Sequence, residues 1–215
     1  MTSTAVLAGA VSLAGTATAV GALGYLHLAP TGLSPLRNPV SQYGITRYRA
    51  GYRVLTISMG VAGTAIATAL ATLPSSFDEV VVLLAIFATC RYAISWFPMD
   101  APGTPPTSTG RAHGLLAVVT FGSIAVAAIR LFKQLEVDPH LDTLASTSRI
   151  LGWLMVTCFA LLFFARLAPD LRRYFGASER ALYVAILVWL VVLGIACATG
   201  HLSGTSIRVL FGGAR

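Results

Sequence analysis

Six apolar segments, each long enough to cross a bilayer as a helix, divide this chain. They run from Ala5 to Leu28, Val54 to Leu73, Val80 to Phe97, Ala112 to Phe132, Ile150 to Leu167 and Ala181 to His201. A hydrocarbon core of about 30 Å needs about 20 helical residues, because each residue rises about 1.5 Å. Apolar residues make up 56% of the chain and charged residues only 11%, unlike a soluble domain. The sequence therefore predicts an all-α fold, a polytopic membrane bundle of six transmembrane helices that forms one domain over residues 1–215.

The basic residues are distributed unequally between the two sides of this predicted bundle. Of 15 Lys and Arg residues, nine lie in or beside the first, third and fifth loops, five lie on the opposite side, and Arg91 lies within a span. Basic residues favour the cytoplasmic side of a membrane. We therefore expect a multi-pass protein of the cell membrane with cytoplasmic odd-numbered loops. The same rule accounts for the net charge of +7 without a nucleic-acid partner.

Two polar connections, residues 27–44 and 97–114, lie on the same side of the membrane because two spans separate them. The second contains Pro102, Pro105 and Pro106, which restrict its backbone. We expect this proline-rich connection to be ordered, to fold inward and to meet the first loop.

Three residues around the proline-rich connection are candidates for chemistry: Arg91, Asp100 and His113. A charge within a span is costly, so Arg91 needs a partner or a cavity. A carboxyl group close to a low-dielectric region has a raised pKa, and an imidazole titrates near neutrality, which suits the pair to proton transfer. We predict Asp100 and His113 as catalytic residues. The alternative is that Asp100 pairs with Arg111 and only fixes the loop.

The first loop supplies further donors and acceptors on the same side, beside prolines that stiffen the backbone. With Arg91 they form the predicted substrate-binding set: Arg91, Arg37, Asn38, Ser41 and Tyr43. We expect no metal and no cofactor. The three cysteines show no paired spacing, and His27, Asp100 and His113, the one conceivable ligand set, lack the spacing of a helical metal motif.

Three short motifs resemble those of the domain-of-unknown-function 998 (DUF998) family of small prokaryotic membrane proteins. The motifs are "SPLRNPVSQYG" at 34–44, "SWFPMD" at 95–100 and "STGRAHGLLA" at 108–117. The matching residues are Asn38, Pro39, Ser41, Tyr43 and Gly44, then Phe97, Pro98 and Asp100, then Gly110 and His113. The resemblance implies a multi-span membrane protein whose shared polar residues lie on one face, and it implies no particular reaction.

Two functions fit these residues. One is an enzyme that uses acid/base chemistry on a lipidic or isoprenoid substrate, by isomerisation, cyclisation or head-group chemistry. The other is a non-catalytic transporter-like, lipid-binding or assembly subunit. Transport is disfavoured because none of the predicted spans carries an acidic residue near mid-membrane. A cavity between the first, third and fourth spans would favour the enzyme, and a tightly packed bundle with Asp100 bonded to Arg111 would favour the structural role. In either case the expected partner is a membrane lipid or another hydrophobic small molecule.

Overall fold

The computed structural model describes residues 3–73 and 77–202, and this part of the chain contains helices and no strands. The six long helices are α1 Ser3–Leu28, α2 Arg49–Ala71, α3 Asp78–Ile94, α4 Ser108–Leu135, α5 Asp142–Leu167 and α6 Phe175–Ala198. Short 3₁₀ helices precede α2, α5 and α6 at Val40–Ile45, Pro139–Leu141 and Pro169–Tyr174. The predicted all-α membrane bundle is confirmed.

The six helices form a closed ring, in which each packs against the next and α6 packs back against α1. Small residues permit the closing contact. A Cβ atom on Gly9 of α1 would lie 2.8 Å from the carbonyl oxygen of Gly194 in α6, so the two backbones touch. Close approach of this kind supplies the dispersion energy that holds helices together in lipid.

Five helices have the length and apolar composition of a membrane span. The shorter α3 has 17 residues, or about 25 Å, and packs between α2 and α4. The predicted boundaries differ from the observed ones at several ends. Helix α3 stops at Ile94 instead of Phe97, while α6 begins at Phe175 instead of Ala181. Polar turns extend α6 beyond its apolar run, whereas the apolar run of α3 continues into a turn at Trp96 and Phe97, because hydropathy marks residues that suit hydrocarbon and not the ends of a helix.

The loops that follow α1, α3 and α5 lie at one end of the ring, here called the odd-loop face. The prediction that the two polar connections meet is confirmed, because the Ser41 hydroxyl donates to Met99 Sδ at 3.3 Å. The inward fold of the whole proline-rich connection is wrong, since residues 101–108 are exposed. The reason is local: the Asp100 carboxylate accepts hydrogen bonds from Thr107 and closes residues 100–107 into a surface loop.

Candidate functional site

A cavity of about 270 Å³ lies inside the ring close to the odd-loop face. Its polar lining comes from five helices and the first loop: Ser41, Tyr52, Arg91, His113, Arg166, Glu179 and Tyr183. The rest of the wall is mainly aliphatic and aromatic, with Phe121 and Phe159 among its members. Among the described residues α1 contributes none, so this cavity does not lie between the first, third and fourth spans, the arrangement that would have favoured the enzyme. Helices α2, α5 and α6 complete its wall together with α3 and α4.

Arg91 is the most deeply buried charge of the site, with no exposed surface. One terminal nitrogen donates to the Tyr183 hydroxyl at 3.0 Å, and the other donates to Met59 Sδ at 3.1 Å. Its Nε–H has no hydrogen-bond partner within the described protein. A buried cation normally has a carboxylate or several oxygen acceptors. Arg91, which lines the cavity, therefore keeps an unsatisfied donor.

Tyr52 of α2 lines the same cavity and is 3% exposed. Its hydroxyl is a second buried polar group without a hydrogen-bond partner in the described structure. The Tyr52 ring packs against the backbone of Gly44, where an added Cβ atom would lie 2.9 Å from a ring carbon. The last residue of the first-loop motif is thus a glycine because only a glycine leaves room for this ring.

Glu179 is the acidic residue of the cavity, and sequence reasoning missed it. It lies one turn inside α6, is 4% exposed, and accepts the Val40 backbone N–H at 2.6 Å. The prediction that none of the spans carries an acidic residue near mid-membrane placed the start of the sixth span at Ala181, so Glu179 was assigned to the loop before it. The available signal was the spacing of Glu179 and Tyr183, which puts both side chains on one helix face if α6 begins earlier.

His113 lies in the second turn of α4 and is 6% exposed. Its Nδ1 lies 2.7 Å from the carbonyl oxygen of Phe97, within the second motif at 95–100. A carbonyl oxygen only accepts, so Nδ1 carries a proton. In the neutral ring this leaves Nε2 as the basic nitrogen of a side chain that lines the cavity.

Asp100 is placed differently from His113 and does not belong to the cavity lining. Its two carboxylate oxygens accept the Thr107 hydroxyl at 2.6 Å and the Thr107 backbone N–H at 3.1 Å. These hydrogen bonds lower the pKa of Asp100, the opposite of the expected shift, because they stabilise the ionised carboxylate. No ion pair with Arg111 is present between these two described residues. The role of Asp100 as a catalytic acid stays a prediction.

The Asp100 carboxylate explains the glycine of the third motif. It lies against the first turn of α4 at Gly110, where a Cβ atom would overlap the carboxylate oxygens. Thr107 caps the same turn through a hydrogen bond from the Gly110 N–H to its hydroxyl at 3.0 Å. The second and third motifs therefore form one capping structure at the start of α4, which carries His113 into the cavity.

Arg180 connects the first loop to α6. Its guanidinium donates to the carbonyl oxygens of Pro35 and Asn38, each at 2.7 Å, and to the Tyr43 hydroxyl at 3.2 Å. Its Nε donates to His27 Nε2 at 2.6 Å. His27 thus serves this network, and the described residues contain no cluster of three or more potential metal ligands.

Only one of the predicted binding residues of the first loop lines the cavity, and the others lie elsewhere. Ser41 lines the cavity, whereas Tyr43 is buried against Arg180 and lies outside the lining. The Asn38 side chain accepts from the Ser34 N–H at 2.7 Å and donates to Gln42, so it stabilises the loop. Exposed Arg37 lies in an adjoining open recess of about 450 Å³ with Arg166 and Arg172, and Arg166 lines both this recess and the cavity.

The exposed part of the cavity wall belongs to α4 and α5 alone, among the described lining residues. Val118 of α4 is 50% exposed, and Phe163 and Leu167 of α5 are 58% and 66% exposed. Arg166 is exposed beside them. The exposed lining residues thus lie on the flank of the bundle that α4 and α5 share, here called the lateral mouth, and most of them are apolar.

A comparison with known proteins supports the resemblance seen in the motifs. The family model described as protein of unknown function (DUF998) matches residues 6–196, which include all six long helices almost completely. No curated protein and no solved structure matches the chain. This chain therefore belongs to the DUF998 family of proteins of unknown function.

Proposed function

We propose that this protein is a membrane enzyme that uses acid/base chemistry on a lipidic substrate. One observation carries the proposal: a single cavity near one end of the bundle is lined by a carboxyl group, an imidazole and a guanidinium, those of Glu179, His113 and Arg91. Structural polar groups inside a bundle normally satisfy one another. Here Arg91 and Glu179 form no ion pair, although both are described and line the same cavity.

Glu179 and His113 are the proposed proton-transfer groups. In the neutral ring His113 presents Nε2 as a base, while Glu179 supplies a carboxyl group that the Val40 N–H holds in place. Arg91 stabilises negative charge on the substrate, and the surrounding aromatic wall excludes water, which strengthens that interaction. Isomerisation, cyclisation and head-group chemistry all use such a set.

In this proposal Asp100 acts as a positioning residue. Its carboxylate closes the loop that starts α4, and His113 follows on the second turn of that helix. Asp100 thus influences the imidazole through the helix and not through contact with the substrate.

We also propose that the protein lies in the cell membrane with the odd-loop face in the cytoplasm. The nine basic residues in or beside the odd-numbered loops, against five on the other side, support this orientation. The substrate site would then open near the cytoplasmic leaflet.

The experiment is a comparison of membrane lipids in the organism that encodes the protein, with the chromosomal gene replaced by variants. Mass spectrometry of lipid extracts should show a species that changes between the parent and a deletion strain. Glu179→Gln and His113→Gln should each give the deletion profile. The matched control is Glu136→Gln, which removes an exposed carboxylate from the opposite face, where it pairs with Lys133, and should give the parental profile.

The second candidate is a lipid-binding subunit without catalysis. The use of Asn38 and Tyr43 in bonds within the protein favours it, since these polar groups serve structure instead of a substrate. Under this function Glu179→Gln and His113→Gln would keep the parental lipid profile, provided that the variants accumulate at the parental level. That outcome would refute catalysis by these two residues.

A further inference from the structure

We propose that the cavity takes a single-chain amphiphile with an anionic head group, which enters from the bilayer between α4 and α5. The head group binds Arg91 and Tyr52, and the hydrocarbon chain leaves through the lateral mouth. This inference rests on the proposed function in that it names the substrate class of the same cavity. Its binding test does not require turnover.

The charge of the site determines the sign of the charge on the ligand. The cavity lining contains two guanidinium groups, those of completely buried Arg91 and of exposed Arg166, and one carboxyl group, that of Glu179. His113 adds either no charge or a positive one. The lining is therefore positive whatever the protonation state of Glu179. In a low-dielectric interior an excess cation is costly, and an anionic ligand removes that cost.

The donors of the site select the form of the head group. A guanidinium has five N–H donors in a planar fork that matches two oxygens of a carboxylate or phosphate. In Arg91 the Nε–H has no partner among the described atoms, and the same is true of the Tyr52 hydroxyl. Both are buried and both line the cavity. A head group with two or three oxygens satisfies them together.

The apolar wall and the mouth select a hydrocarbon chain. Phe121 and Leu162 belong to the buried wall of the cavity, and Val118, Phe163 and Leu167 to its exposed wall at the lateral mouth. These last three side chains are exposed on the flank of the bundle, where lipid lies. Exposed Arg166 offers a first contact for an anion that arrives from the bilayer, and the other exposed side chains of the lining are apolar.

The cavity volume limits the ligand to one chain. Its volume of about 270 Å³ corresponds to about nine water molecules of liquid volume. This is room for a head group and the first methylenes of one chain. The remainder of the chain stays in the membrane, outside the α4–α5 mouth.

The test measures binding of three probes with the same chain to the full-length protein in lipid nanodiscs: hexadecyl phosphate, palmitate and hexadecanol. Native mass spectrometry gives the occupancy of each. We expect the two anions to compete for one site and to bind at least tenfold more tightly than the neutral alcohol, because a hydrogen bond to a charged group typically contributes a factor of this size. The phosphate and carboxylate probes distinguish the two possible head groups. Equal affinity for hexadecanol would overturn the anionic head group.

Variants test each end of the proposed path. Arg91→Gln removes the guanidinium that binds the head group. Tyr52→Phe removes only a hydroxyl without a hydrogen-bond partner in the described structure, so it provides the test if Arg91→Gln fails to fold. Tyr52→Phe should weaken both anions about tenfold and leave hexadecanol unchanged. Val118→Trp should block the mouth and slow binding of all three probes. Its matched control is Leu115→Trp, because Leu115 is 65% exposed on the same helix and outside the cavity.

Unchanged binding rates in Val118→Trp would overturn the lateral route, and unchanged anion affinity in Tyr52→Phe would overturn the assignment of the head-group site. Failure of the proposed enzymatic function has a different signature. In that case the anions bind as described, but Glu179→Gln and His113→Gln leave the cellular lipid profile unchanged.

Discussion

Gly176→Ala should destabilise this protein, although alanine is the better helix former. A Cβ atom at this position in the first turn of α6 would lie 2.5 Å from the Asn38 carbonyl oxygen and 2.7 Å from that of Pro35. Both obstacles are backbone atoms, so the first loop must move away from α6. This movement breaks the hydrogen bond from the Ala177 N–H to the Leu36 carbonyl oxygen at 3.0 Å and the bonds from Arg180 to the same loop.

The magnitude follows from these bonds. A neutral hydrogen bond contributes about 0.5–1.5 kcal/mol and a bond to a charged group about 1.5–3 kcal/mol. Loss of one neutral bond and one charged bond, offset by at most about 1 kcal/mol of helix propensity, lowers the free energy of unfolding by about 1–4.5 kcal/mol. For a chain of this size the melting temperature should fall by about 2–18 °C.

The assay is thermal unfolding of purified protein in detergent, with Gly122→Ala as the matched control. Gly122 lies in the interior of α4, and a Cβ atom there would have no atom within 4 Å. This control should be neutral or stabilising, by up to about 1 kcal/mol. If Gly176→Ala raised the melting temperature as Gly122→Ala does, the close contact between the first loop and α6 would be refuted.

Two further predictions concern the odd-loop face. The lowered pKa of Asp100 means that its hydrogen bonds with Thr107 stabilise the protein at pH values above the ordinary carboxyl pKa, and that this contribution is lost as the pH falls through the lower folded-state pKa. Melting temperature measured below about pH 4 should therefore fall more steeply in the parent than in Asp100→Asn, and parallel curves would contradict the bonded carboxylate. Reporter fusions after Arg47 and after Asp138 should give cytoplasmic and external signals respectively, and the reverse pattern would refute the orientation.

The sequence alone determined the membrane bundle and the meeting of two polar segments at one end. Long apolar runs have one stable form in lipid, because every backbone hydrogen bond must be made within the helix. An even number of spans between two loops puts them on the same side whatever the packing. Arg91 was predictable as a residue that needs a cavity, since the cost of a charge within a span depends on its position and little on its neighbours.

The composition of the site was decided by the tertiary structure. Asp100 and His113 are close in sequence, yet the Thr107 hydrogen bonds keep Asp100 on the surface loop while α4 carries His113 into the cavity. Glu179 reaches Arg91's cavity because the ring closes α6 against α1 and α5 and extends α6 by a turn and a half before the apolar run. Hydropathy shows how far a helix lies in hydrocarbon but not where it begins or which face it presents inward. Those depend on contacts such as the Val40–Glu179 hydrogen bond, between residues 139 positions apart in the chain.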